Sequence, residues 1–285
     1  MSEVVPRGRQ RPASARVHLA VVHLVLATGA VVMIFPFVYQ LLASFMTNTQ
    51  VTSVPPTLWP TSWQWDNFIS VFERMPFLRQ MGNTVVITVA NTVATVTLAA
   101  LAGYVFARMQ FRGRSVIFGL ILSMLMVPGT LLLVPQYQTI QALGWLNSVP
   151  GIVVPGIVSA FGIFLIRQFF LAIPDELEEA ARLDGANPFQ IFWRIMLPLA
   201  TPGLSALAVL TVLGTWSALL WPLIIVNTQD AMPLAVGLAS FTGEYGSEYP
   251  AMLAAALMAQ IPIFIFFLLM QRRVIEGVAF SGLKG

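Results

Sequence analysis

Lys, Arg, Asp and Glu are absent from five long stretches of this chain: Val17–Trp65, Gln80–Ala107, Ser115–Ile166, Ile195–Gln229 and Tyr249–Gln271. A bilayer core takes about 20 apolar residues in helical form. The third stretch, with 52 residues, is too long for one crossing. Its middle, Pro135 to Pro150, reads PQYQTIQALGWLNSVP, a polar and turn-rich break, so it divides in two. The pattern predicts an all-α integral membrane protein with six transmembrane helices. Composition agrees: 57% of residues are hydrophobic and 9% charged, against about 25% charged in a soluble domain. A secretory signal peptide is the rival reading of the first run. That run is too long for one, and no small-residue cleavage site follows it.

The basic residues orient the spans. Arg7, Arg9, Arg11 and Arg16 precede span one; Arg108, Arg112 and Arg114 lie between spans two and three. Arg167, Arg182 and Arg194 lie between spans four and five, and Arg272, Arg273 and Lys284 follow span six. These are 13 of the 15 basic residues, and only Arg74 and Arg79 fall on the other side. Both termini are therefore expected in the cytoplasm. The expected divisions are a cytoplasmic tail (1–16), span one with an outer segment (17–78), a five-helix core (79–271) and a cytoplasmic tail (272–285). Trp59, Trp63 and Trp65 in the outer segment are read as an aromatic belt at the membrane–water interface rather than a sugar-stacking platform.

Several chemistries are excluded. There is no cysteine and there are two histidines, His18 and His23, so no metal site and no thiol catalysis are expected. The basic residues do not cluster on one soluble face, so no nucleic acid is expected. The only lysine, Lys284, is followed by Gly285, whereas a nucleotide phosphate loop needs Lys followed by Ser or Thr. No catalytic residues are assigned. The spans lack the carboxylates that proton-coupled transporters use, which disfavours a self-contained secondary transporter or channel. That class remains the alternative reading, with a non-transporting membrane scaffold as a third.

Two features remain to be explained. In span two, Thr84, Thr88, Asn91, Thr92 and Thr95 share one helical face. They either line a solute path or hydrogen-bond between helices. The second feature is the polar island Pro174–Pro198, which holds five of the twelve acidic residues. Pro174 suits a first helical turn, and Asp175, Glu176 and Glu178 place negative charge at the positive end of the macrodipole. Leu177, Ala180, Ala181 and Asp184 share a face of low relief. Gly185 suits a left-handed C-terminal cap. Asn187 and Pro188 then begin a second helix that displays Phe189, Phe192, Trp193 and Met196 and closes at Pro198. The island is read either as a knob for another protein's groove or as an interfacial hairpin on lipid headgroups.

Glu179-Ala180-Ala181, three residues, Gly185, nine residues, Ile195, one residue and Leu197-Pro198 resemble the EAA loop of ABC-importer permeases. The stretch Pro135–Phe170, Trp216 with Trp221-Pro222, and the tail Gln271–Gly285 resemble the maltose-permease-like carbohydrate branch of that family. After Trp216 that branch often has Asn and an acidic residue, where this chain has Ser217-Ala218.

The resemblance implies a type I ABC importer permease fold in the bacterial plasma (inner) membrane. It implies a second permease subunit, an ATPase homodimer that holds ATP and Mg, and an extracytoplasmic solute-binding protein as partners, with lipid around them. It further implies that Glu179, Ala180, Ala181, Asp184, Gly185, Leu197 and Pro198 couple to the ATPase, and that the solute is a sugar or a related hydroxylated molecule.

Overall fold

The computed structural model describes residues 13–243 and 246–282. The expectations for Arg7, Arg9, Arg11 and Lys284 fall outside those residues. Three helices are each long and apolar enough to cross a bilayer without a break: Ala13–Ala43, Phe77–Arg108 and Tyr249–Gly282. They are spans one, two and six. The first helix begins at Ala13, inside the stretch expected to be tail. Three further apolar pairs are bent, and counting each as one crossing gives six. Among the described residues the non-helical pairing is one antiparallel step, Thr242–Gly243 with Gly246–Ser247.

Proline sets the bends by removing a backbone donor and crowding the preceding turn. Span three turns by 96° between Arg114–Met126 and Gly129–Ala142, with Pro128 beginning the second piece. The helix that follows, Leu133–Ala142, covers half of the stretch expected to be a break. The true turn is shorter, at residues 143–148, where Gly144 and Asn147 take positive φ of 69° and 55°. Span four bends by 51° between Val149–Gly156 and Ala160–Ala172. Ser159 caps its inner half, its hydroxyl accepting from the Gly162 N–H at 3.0 Å. Span five is Thr201–Trp216 followed by Leu220–Ile225. The island's second helix meets it at 71°, so that helix lies well off the span axis.

Lipid tails are as apolar as leucine, so close packing rather than hydrophobicity must join the spans. Spans two and four meet across small residues. A Cβ on Gly103 would lie 3.0 Å from Arg167 N and 3.1 Å from Ile166 Cγ2, and one on Gly162 would lie 3.3 Å from the Ala99 Cβ. Three buried clusters follow one another along span two. The outer one gathers Val71, Met75, Phe77, Leu234 and Ala251. The middle one gathers Ile87, Ile152, Val153 and Ile225. The inner one gathers Tyr104, Ile166, Phe170, Ile191, Phe192 and Met196. Span one stands outside them, exposed over most of its length. It touches span six through Phe37 on Phe264 and through Gln40, which accepts from Gln260 Nε2 at 3.2 Å.

Candidate functional site

The island folds as two short helices around a fully bonded turn. Asp175–Leu183 carries Asp175, Glu176 and Glu178 in its first turn. Pro174 stands just before the helix as its cap, one position earlier than expected. At the other end Gly185 takes φ +82°. The Gly185 N–H donates to Arg182 O at 3.0 Å and the Ala186 N–H to Ala181 O at 2.9 Å, the paired bonds that close a helix through a left-handed residue. Asn187 opens the next helix with a reciprocal cap: its Oδ1 accepts from Gln190 N at 2.8 Å, and its own N–H donates to Gln190 Oε1 at 2.9 Å. Pro188–Ile191 then passes through a π turn, Phe192–Met196, before Leu197–Leu199. This second helix runs to Leu199 and breaks at Ala200, not at Pro198.

The two faces of the island divide the motif. Glu179, Ala180, Asp184, Gly185 and Pro198 are exposed. So are Leu177, Leu183, Phe189 and Trp193, and Leu183 is 90% exposed. Ala181 turns the other way. It is 7% exposed and belongs to the inner cluster, which Ile195 and Leu197 also pack against. A residue buried in its own chain cannot form part of an outward knob, so Ala181 is excluded from the expected contact face. Phe192 and Met196, expected as displayed groups, are core residues.

The structure also assigns Glu178 a position that the sequence reading missed. It is 6% exposed. Its Oε1 accepts from Arg182 Nη2 at 2.8 Å and from the Tyr104 hydroxyl at 3.4 Å. Its Oε2 lies 3.8 Å from Arg108 Nε. Arg108, at the inner end of span two, is itself 7% exposed. Its Nη1 pairs with Asp175, and its Nη2 donates to Phe170 O at 2.7 Å and to Ile173 O. Those carbonyls end the inner helix of span four, where a cation offsets the negative end of the dipole. Tyr104 wedges between Phe170 and Phe192, with ring centroids 5.6 and 5.0 Å away.

The polar face of span two is divided as well. The Thr84 hydroxyl is buried, donates to Gln80 O at 2.9 Å and accepts from Leu234 N at 2.7 Å. Asn91 Nδ2 donates to Thr215 Oγ1 on span five at 2.7 Å. Asn91 Oδ1 and the hydroxyls of Thr88, Thr92 and Thr95 are buried and have no hydrogen-bond partner among the described residues. Thr84 and Asn91 also line a half-open cavity of about 160 Å³ with Ile87, Gly156, Thr215 and Trp221. The face therefore serves interhelical bonding and borders a cavity. Trp221 Nε1 donates to Gly151 O, and Trp216 Nε1 to Ala259 O, each at 3.2 Å. Ser217-Ala218 falls where span five is interrupted, and Ala218 also lines the cavity.

The two outer arginines are paired. Arg74 meets Glu248 at 2.8 Å, and Arg79 meets Asp230 at 2.9 Å. The island lies with Arg108 and Arg182 at the opposite end of span two. This separation matches the sidedness read from the arginines.

Residues 95–277 match the family described as binding-protein-dependent transport system inner membrane component. The chain belongs to this family. Among its relatives is the arabinooligosaccharides transport system permease protein AraQ of Halalkalibacterium halodurans. It is 36% identical over 259 residues, covering 90% of this chain and 93% of that protein. The sn-glycerol-3-phosphate transport system permease protein UgpE of Pectobacterium atrosepticum is 33% identical, covering 91% and 95% of the two chains. Among solved structures, a chain of a bacterial ABC transporter that imports the acidic polysaccharide alginate superposes with a TM-score of 0.79. It is 25% identical and covers 93% of this chain and 99% of that one. The protein is thus a membrane-spanning permease of an ABC importer and not an enzyme.

Proposed function

We propose that this chain forms half of the membrane path of a carbohydrate importer in the bacterial plasma membrane and receives ATP-driven motion through the Pro174–Pro198 island. The observation that carries the reading is the island's outer face. Glu179, Ala180, Asp184 and Gly185 stand exposed on a rigidly bonded turn, beside the apolar groups Leu183, Phe189 and Trp193. Exposed apolar side chains beside a small-residue surface suit a groove on another protein. A second permease would complete the path, two ATPase subunits would hold ATP and Mg, and a solute-binding protein would deliver the solute outside.

The solute class rests on relatives named for arabinooligosaccharides, diacetylchitobiose and glycerol 3-phosphate. The cavity suits hydroxylated solutes, because Thr84, Asn91 and Thr215 bring hydroxyl and amide side chains to its lining, and such groups hydrogen-bond hydroxyls. Thr88, Thr92 and Thr95 lie on the same face and extend it inward. The test is reconstitution of the assembled complex in proteoliposomes, with ATP hydrolysis followed as arabino-oligosaccharides, diacetylchitobiose and glycerol 3-phosphate are supplied with the binding protein. One of them is expected to stimulate hydrolysis and accumulate inside. Uptake by the single polypeptide without an ATPase would refute the reading.

A further inference from the structure

We propose that Arg108 and Glu178 are positioning residues that lock the island to the inner ends of spans two and four, and that span two carries the island's movement to the outer loop. This rests on the island being the point where the ATPase pushes.

The inner lock is built from charges removed from water. Both side chains are 7% exposed. Removing either one takes away a buried counter-charge and leaves the other to the exposed partner it retains, Asp175 for Arg108 and Arg182 for Glu178, and breaking a buried pair is destabilising. One guanidinium reaches three elements at once: it belongs to span two, bonds the terminal carbonyls of span four, and pairs with Asp175 and Glu178 of the island. Arg182 closes on the same carboxylate from the solvent side. The Tyr104 ring fills the space beneath, against Phe170 and Phe192. A force on the island therefore reaches span two through a direct pair with the exposed Asp175 and through a buried charge contact with Glu178 at 3.8 Å.

Span two is suited to pass that force on. It is one unbroken helix of 32 residues, whereas the other spans packed on the island are bent. At its far end a second set of bonds holds the loop after span five. Asn83 Nδ2 donates to Asp230 O at 2.8 Å and to Met232 O at 3.0 Å. Thr84 accepts from Leu234 N, and Gln80 Nε2 donates to Gln229 O at 3.3 Å. The Gln80 amide lies directly over Gly237, where a Cβ would displace it. From Thr84 to Arg108 a helix rising 1.5 Å per residue spans about 36 Å. The island and the outer loop are thus two ends of one rod.

The chain contains no cysteine, so spin labels on introduced cysteines report only chosen positions once partner cysteines are removed. One pair joins Leu183 on the island to Leu101 on the exposed side of span two. A second joins Leu183 to Leu24 on span one, which stands apart from the lock. In the reconstituted complex the Leu183–Leu101 distance is expected to stay constant between nucleotide-free and vanadate-trapped states, while Leu183–Leu24 shifts. Glu178→Gln, which keeps the shape and removes the charge, is expected to broaden the Leu183–Leu101 distribution. It is also expected to lower uptake at least tenfold while ATP hydrolysis continues.

A Leu183–Leu101 distance that changes with nucleotide in the unmodified lock overturns the proposal, and so does full uptake in Glu178→Gln. If neither pair responds to nucleotide, the importer reading falls and this proposal falls with it. The labelled protein with an intact lock decides the matter even if Glu178→Gln fails to assemble.

Discussion

Two glycines of span two make opposite predictions for the same substitution. Gly82 lies on an exposed face, and a Cβ there would have nothing within 4 Å. Gly103 faces span four, where a Cβ would lie 3.0 Å from Arg167 N and 3.1 and 3.2 Å from Ile166 Cγ2 and Cβ. Alanine gains about 1 kcal/mol of helix propensity over glycine at either position. That gain cancels when the two variants are compared. What remains at Gly103 is overpacking, which costs about 1–3 kcal/mol in a closely packed core. Rotation cannot relieve it, because the nearest atom is backbone inside a helix and Ile166 is fully buried.

At about 2–4 °C per kcal/mol for chains of this order, Gly103→Ala should unfold roughly 2–12 °C below Gly82→Ala. The assay is thermal unfolding of the purified chain in detergent, followed by tryptophan fluorescence. Equal midpoints would refute the argument that spans two and four are joined by backbone approach at Gly103.

Other substitutions test the remaining features. Gly185→Val forces a β-branched residue into φ +82°; it should abolish solute-stimulated ATP hydrolysis while membrane insertion, followed by immunoblot of washed membranes, is unchanged. Asn91→Ala removes a polar side chain that lines the cavity and should raise the KM for uptake several-fold with little change in basal ATP hydrolysis. Arg74→Ala removes an ion pair whose members are 46% and 51% exposed; exposed pairs contribute about 0–1 kcal/mol, so its midpoint in the same unfolding assay should move by less than about 4 °C.

The crossing number and the separation of Arg74 and Arg79 from the island were legible because charge is so unevenly distributed along the chain. The island turn was legible for a different reason: a glycine at the left-handed position and an asparagine before proline are local requirements, and Gly185 and Asn187 meet them without tertiary help. The facing of the island helix was not legible. The acids between Asp175 and Asp184 look uniformly solvated, and only Arg108, arriving from span two, turns Glu178 and Ala181 inward. Pro128-Gly129 marks a kink in span three, but its 96° size was hidden because apolar composition continues across it. The small-residue seam of Ala99, Gly103 and Gly162 was hidden too, since a span that is apolar on every side gives no sign of which face meets a neighbour.

The lock at Arg108 also has an order of events built into it. Its carbonyl partners at Phe170 and Ile173 lie 62 and 65 residues later in the chain. At about 5–20 residues per second of synthesis, Arg108 leaves the ribosome roughly 3–13 s before they do. During that interval it is an ordinary positive charge beside a newly inserted helix, and it helps hold that helix the right way round. When span four and the island arrive, the same charge is withdrawn from water and becomes internal wiring. One arginine thus sets direction during biogenesis and joins the parts afterwards, and its loss would be felt first as misinserted protein and then as uncoupled transport.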